Sequence, residues 1–281
     1  MRLAISNIAW DLQQEPQVSA LLQRFGVEGV ELAPTKIWPQ PLLATAAEVL
    51  DYRRGWEGRG IGIVAFQALL FGRPELTIFE SAEKRAQTLE YLGGIARLAQ
   101  QLGARALIFG SPKNRFVGDL APETAWAIAV DFFRRAGDLA AAHDAAFCIE
   151  PNPPEYGCDF VNNSVQAVEL VKAVDSEGFR VHIDAGALAM ASEQPERAIQ
   201  NAVPWMNHFH ISERNLSPIG TTGVDHAACA AALVDAGYRQ WVSIEMRPPY
   251  PDRVEGIEGA LTVAINDYAP FFQAHALRSV P

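Results

Sequence analysis

The 281 residues are 49% hydrophobic and 20% charged, an ordinary globular composition. The net charge of -10 disfavours nucleic-acid and anionic-membrane partners, because such binding rests on Lys and Arg neutralising phosphates. Cys148, Cys158 and Cys229 are odd in number and lack a CxxC spacing, which argues against a disulfide framework and fits a reducing cytosol.

The opening stretch "MRLAISNIAWDLQQEP" has no apolar run long enough for a signal peptide, and charge returns at Asp11. No later run approaches the ~20 apolar residues of a membrane span. A soluble cytoplasmic protein with no membrane partner is expected. Short β-rich runs then alternate with longer helical stretches. They are "LAISNIAW" (3–10), "GVELAP" (29–34), "GIVAFQALL" (62–70), "RALIFGSP" (105–112), "AFCIEPNP" (146–153), "RVHIDAGA" (180–187), "MNHFHISE" (206–213) and "WVSIEMRP" (241–248). Between them, Leu89, Leu92, Ile95, Ala96, Ala99 and Leu102 recur at helical spacing, and 121–143 and 226–237 are similar. Gly103 and Gly237 read as helix stop signals.

Strands alternating with helices demand parallel pairing. Eight such units over residues 1–281 predict an α/β chain forming one closed (β/α)₈ TIM barrel as a single domain. An open doubly wound sheet fits less well, since no Gly-rich dinucleotide fingerprint follows the first strand. The loops 151–163 and 213–225 exceed simple connections, and long loops in compact domains are often functional.

In such a barrel the site lies where the strands end. The fifth run ends its apolar stretch at Glu150, the sixth at Asp184, the seventh at His210 and the eighth at Glu245. Four adjacent staves thus send metal-competent side chains to one point. Three carboxylates crowded there repel one another, and a divalent cation removes that repulsion. Three carboxylates and one imidazole suit Mn²⁺, Mg²⁺ or Co²⁺ better than structural Zn²⁺, which remains a further option. His182 and His208 lie two residues before proposed ligands and share their face, as supporting or core residues. His143, His226 and His275 read as peripheral.

The segments "CIEPNP", "HIDAGA", "HFHISE" and "SIEMRP" resemble the metal-site strands of the xylose isomerase-like barrel superfamily. They look most like its sugar isomerase and epimerase branch, which includes ketose 3-epimerases and hydroxypyruvate isomerase. "GVDHAA" at 223–228 is similar to the family's segment before the seventh helix. The resemblance implies one divalent metal held by Glu150, Asp184, His210 and Glu245. It also implies that Glu150 and Glu245 exchange protons with a carbohydrate substrate through an enediolate. Ketose epimerases of the family carry a histidine three residues after the strand-six Asp, where this chain has Ala187. Dehydratases or lyases of the same superfamily are the alternative reaction class. An endonuclease IV-like phosphodiesterase fits less well with six histidines and this net charge, and a non-catalytic binding protein fits less well with an intact quartet.

"LIFGSPKNRFVG" (107–118) leaves the fourth strand at the same end. There Lys113 and Arg115 are candidates to bind a carboxylate or phosphate of the substrate; local pairing with acids such as Asp119 is the alternative. Arg214 and Arg247 follow two ligands and are similar candidates, with Glu213 as an orienting group. Gln67, His182 and Asn7 are expected to line or border the pocket, with loop capping an equal alternative for Gln67 and Asn7. Trp10, Trp38 and Phe71 are candidates for an apolar wall, with core packing equally compatible. Barrels of this family pair, and "PFFQAHAL" near the C-terminus is a candidate contact for a homo-oligomer or the packing face of the last helix.

Overall fold

The structure, a computed structural model, describes residues 2–248 and 253–276, with side chains described as far as Tyr268. Eight parallel strands form a closed barrel in sequence order: β1 (Arg2–Ser6), β2 (Gly29–Leu32), β3 (Gly62–Phe66), β4 (Ala106–Phe109), β5 (Ala146–Ile149), β6 (Phe179–Asp184), β7 (Met206–Ser212) and β8 (Trp241–Glu245). Closure is made by β8 pairing with β1, with Arg2 opposite Trp241 and Ile5 opposite Ile244. The main helices between strands are Glu15–Arg24, Ala46–Glu57, Ala82–Leu102, Pro122–Ala141, Ser164–Val174, Pro195–Ala202 and His226–Asp235, followed by Arg253–Ala276 after β8. Gly103 ends the helix Ala82–Leu102 at φ 92°, a left-handed conformation that costs glycine little.

Several strands stop short of the apolar runs that announce them. The run 105–112 yields only Ala106–Phe109, because at Gly110 the backbone turns away and Ser111 takes φ 41°. Pattern persists into the mouth loops, but ladder pairing does not.

The strands' period of two sorts side chains between two environments. Leu3, Ile5, Val30, Leu32, Phe147, Ile149, Val181 and Ile183 join the large core between strands and helices. A separate small cluster of Ala4, Val64, Ala65, Ala106, Ile108 and Cys148 fills the lower barrel. Above it lies a buried polar layer of Ser6, Glu31, Gln67, His182, His208 and Ser243. The interior therefore changes from apolar to polar toward the strands' C-terminal ends.

Among the described residues no helix is long and apolar enough to cross a membrane. Cys148, Cys158 and Cys229 are buried free thiols. The candidate contact "PFFQAHAL" lies outside the residues with described side chains; its backbone to Ala276 continues the last helix. Among the glycines, Gly178 at the entry to β6 has the least room for a side chain. A Cβ there would collide with the carbonyl of Gly137 and come within 2.8 Å of the Ala141 amide, both backbone atoms of the helix Pro122–Ala141. Gly178→Ala should therefore lower stability by about 2 kcal/mol or more, because backbone cannot move aside as a side chain can. A drop in urea midpoint at unchanged m-value checks this.

Candidate metal centre

The four strand-end residues meet at the top of the barrel. Glu150, His182, Asp184 and His210 each place one donor atom within 4.8 Å of the others. Glu245 Oε2 lies 3.1 Å from His210 Nδ1, and Asp184 Oδ2 lies 3.8 Å from the same nitrogen. Yet His210 Nδ1 makes no hydrogen bond of acceptable geometry. A buried ring nitrogen ringed by carboxylates that do not bond to it fits a shared cation between them.

Asp184 and His210 are held from behind. Asp184 caps the short helix Ala185–Met190: its Oδ1 accepts from the Ala187 amide at 2.6 Å and its Oδ2 from the Ser212 hydroxyl at 2.5 Å. The Ser212 Oγ also accepts from the Gly186 amide at 2.9 Å. Glu150 extends across Gly110, where an added Cβ would collide with Glu150 Oε2. A side chain at position 110 would thus displace a donor.

His210 is oriented by Glu31, a residue that sequence patterning does not single out. Glu31 is wholly buried on β2, and its Oε1 lies 3.0 Å from His210 Nε2. Its Oε2 lies 2.8 Å from His208 Nε2. A carboxylate only accepts, so both imidazoles carry a proton on Nε2, and once His210 is neutral its Nδ1 presents a lone pair to the centre. This carboxylate–histidine relay is the arrangement that tunes metal-bound histidines. The available signal was one charge in the apolar run "GVELAP", on the inward parity.

Electrostatics follow from burial. Burial, then Glu245 and Asp184, push Glu150 up to about 8 from 4.5, and burial and Glu245 push Asp184 up to about 6 from 3.8. Burial opposes a charge on His210, but Glu31 and Glu245 outweigh it and raise its pKa well above the usual range. For Glu31, burial is likewise outweighed, by His210 and His208, and its pKa falls well below the usual carboxylate range. His182 is held neutral, by burial and then by His210 and His208. Without a cation the centre therefore retains protons near neutrality.

The other expected residues lie around this centre. Within the buried polar layer, Gln67 donates to the Ser6 hydroxyl. His182 stacks edge-on against His210 at 4.1 Å, with Nε2 3.8 Å from Glu150 Oε1. Lys113 is exposed at the rim. Arg115 is wholly buried; its Nη2 donates to the Glu150 carbonyl at 2.7 Å, while Nε and Nη1 have no partner among the described residues. Between them, Asn114 donates to the carbonyls of Arg73 and Leu76, tying the loop after β3 to that after β4. Arg214 is exposed and donates to the Ala189 carbonyl at 3.1 Å; Arg247 is exposed after β8. Glu213 does not meet Arg214's guanidinium. It accepts from the Gly220 and Thr222 amides and lies 3.2 Å from His226 Nε2, which makes His226 buried rather than peripheral. Asn7 accepts from the Ala33 amide at 2.8 Å. Trp10 is buried in the core, Trp38 packs edge-on against Tyr52, and Phe71 is 73% exposed.

Comparison with known proteins places this architecture. The xylose isomerase-like TIM barrel family model matches residues 19–263, so the chain belongs to that family. A D-psicose 3-epimerase from Ruminiclostridium cellulolyticum is 26% identical over 120 residues, which span 43% of this chain and 41% of that enzyme. The crystal structure of D-psicose 3-epimerase with D-tagatose, from Clostridium cellulolyticum H10, superposes with a TM-score of 0.81 at 16% identity, over 95% of this chain and 99% of that one. The structure of an IolI protein with a bound zinc atom gives 0.75 at 17%, over 96% and 98%. At these identities the superpositions show a shared fold.

Two outcomes are expected. Glu31→Gln offers one acceptor oxygen where two imidazoles need acceptors, so metal affinity should fall about 10- to 100-fold, as read by calorimetry. Metal affinity should also rise between pH 6 and 8, with proton release. The sign follows from raised carboxylate pKa values: the native metal-free centre binds more protons than the unfolded chain above about pH 4, so its stability falls as pH rises through that window. Metal addition should accordingly raise Tm more at pH 8 than at pH 6.

Proposed function

We propose that this chain is a divalent-metal-dependent isomerase or epimerase of a sugar, sugar phosphate or sugar acid. The observation that carries the reading is the convergence of Glu150 and Glu245 on His210 and Asp184 at the barrel's mouth. Bound there, a divalent ion such as Mn²⁺, Mg²⁺, Co²⁺ or Zn²⁺ would polarise a carbonyl and acidify the adjoining C–H. Glu150, Asp184, His210 and Glu245 would hold it, with His182 beside them.

The chain's own residues supply the proton transfers. Glu150 follows β5 and Glu245 ends β8, so they flank Asp184 and His210. One carboxylate removes the proton beside the carbonyl and leaves an enediolate. The other returns a proton, to the opposite face of the same carbon for epimerisation or to the neighbouring carbon for isomerisation. The pKa of about 8 for Glu150 in a crowded anionic pocket is the kind of environment that lets a carboxyl hold a proton near neutrality. A cation would lower it and bring both states within reach. Positive side chains at the rim, Lys113, Arg214 and Arg247, support a substrate that carries phosphate or carboxylate. Buried free thiols suit a cytoplasmic setting.

A metal-supplemented screen in D₂O, read by NMR over ketoses, sugar phosphates, keto-acids and inososes, tests the reading. Deuterium should enter the carbon beside the carbonyl as an isomer or epimer accumulates. Loss of water would move the chain to the dehydratases. No exchange with a metal bound would leave a binding protein. Glu245→Gln should cut exchange at least 10²-fold and weaken metal binding.

A further inference from the structure

His182 is wholly buried, yet neither of its ring nitrogens makes a hydrogen bond of acceptable geometry among the described residues. Its two histidine neighbours differ from it in this. His208 and His210 each meet Glu31 through Nε2, whereas Glu31 makes no hydrogen bond with His182. Buried polar side chains are ordinarily satisfied, and an imidazole that satisfies neither nitrogen points to a further group at one of them. The strand-end pattern leaves His182 out of the four expected ligands, because it sits two residues before Asp184 on β6.

The ring nevertheless stands among those ligands. One of its nitrogens lies within 4.8 Å of donor atoms of Glu150, Asp184 and His210. Two donors that each sit about 2.1 Å from one ion can be no more than about 4.2 Å apart. His182 Nε2 lies 3.8 Å from Glu150 Oε1, inside that span. The separations of Glu245 and Asp184 from His210 Nδ1, 3.1 Å and 3.8 Å, fall inside it too. The ring is also held in place. It meets His210 edge-on with centroids 4.1 Å apart and stacks on His208 at 5.5 Å and 29°. Both of those rings are fixed in turn by Glu31. A metal on Nε2 would leave the ring's proton on Nδ1 and the imidazole neutral.

We propose that His182 is itself a ligand of the metal at this centre, so that the ion is held by two imidazoles and not one, and that the second imidazole turns the site toward Zn²⁺ and away from Mg²⁺ and Mn²⁺. Carboxylate and water oxygens suit Mg²⁺ and Mn²⁺, whereas imidazole nitrogen suits Zn²⁺. A neutral ring changes the donor set without adding to the negative charge already crowded there. The inference rests on the metal-centre part of the functional reading and is independent of the reaction.

The test begins with the wild-type full chain carrying Zn²⁺. X-ray absorption fine structure at the zinc edge counts imidazole ligands without any variant, and two are expected. Zn²⁺ and Mn²⁺ are then titrated separately by calorimetry into wild type and His182→Gln. Zn²⁺ affinity should fall about 100-fold in the variant, and Mn²⁺ affinity less, so that the Zn²⁺/Mn²⁺ affinity ratio drops about tenfold. A variant that merely folds badly would lose both ions alike, and the ratio separates the two cases. One imidazole on the wild-type zinc, or an unchanged ratio in His182→Gln, overturns the proposal. Two imidazoles in a chain that exchanges no deuterium into any carbohydrate would uphold His182 and sink the isomerase reading. One imidazole in a chain that does exchange would do the reverse, and a chain that binds neither ion overturns both.

Discussion

Negative charge crowded inside a closed barrel is the constraint on which the rest of the site depends. Closure of β8 onto β1 points alternate side chains at one axis, and at the upper end those side chains are Glu31, Glu150, Asp184 and Glu245. Little water reaches them there, and no lysine or arginine forms an ion pair with them among the described residues. Imidazoles take the role instead. His210 bridges the two groups of acids, one nitrogen toward Glu31 and the other toward Asp184 and Glu245. A single histidine thereby couples a structural carboxylate in the barrel to the chemistry at its mouth.

Above this layer the loops after neighbouring strands are stitched to one another rather than left independent. Asn114 joins the loops after β3 and β4, Asp159 those after β4 and β5, and Tyr156 those after β5 and β7. Backbone strain collects at the same end: Ala68, Ser111, Val161, Asn215 and Leu216 all take positive φ without being glycine. For a β-branched residue such as Val161 this is an outlier that only a constraining environment maintains. The mouth is thus an over-determined surface, suited to holding a small polar molecule in one orientation.

The fold by itself decides little about reaction, since one barrel hosts many chemistries. Family membership and the carboxylate centre are the ground of the proposed proton-transfer chemistry beside a carbonyl. The local features are specific to this chain: Ala187 lies in the first turn after β6, and Tyr156 accepts from the Asn215 amide to join the loops after β5 and β7. Arg115 lies beneath Glu150 as a buried cation bonded to its carbonyl, so the motif "SPKNR" braces the site from below as well as lining its rim.

Strand number, parallel order and the strand-end positions of Glu150, Asp184, His210 and Glu245 were legible in the sequence, because a closed barrel has one periodic rule: apolar runs in series, each ending at the same face. Residues whose meaning lies in sequence-distant contact were not. Glu31 and His210 are 179 positions apart and His208 and Glu31 are 177 apart; only the curvature of the closed sheet brings β2 across to β7. Tyr156 and Asn215 meet over an intervening strand, and Arg115 turns inward where composition suggested a rim cation. The sequence by itself determined the number and parallel order of the strands and which side chains sit on the inward parity. The tertiary structure alone decided which of those inward groups touch, because contact across a barrel depends on register, bulges and loop ties that no local pattern encodes.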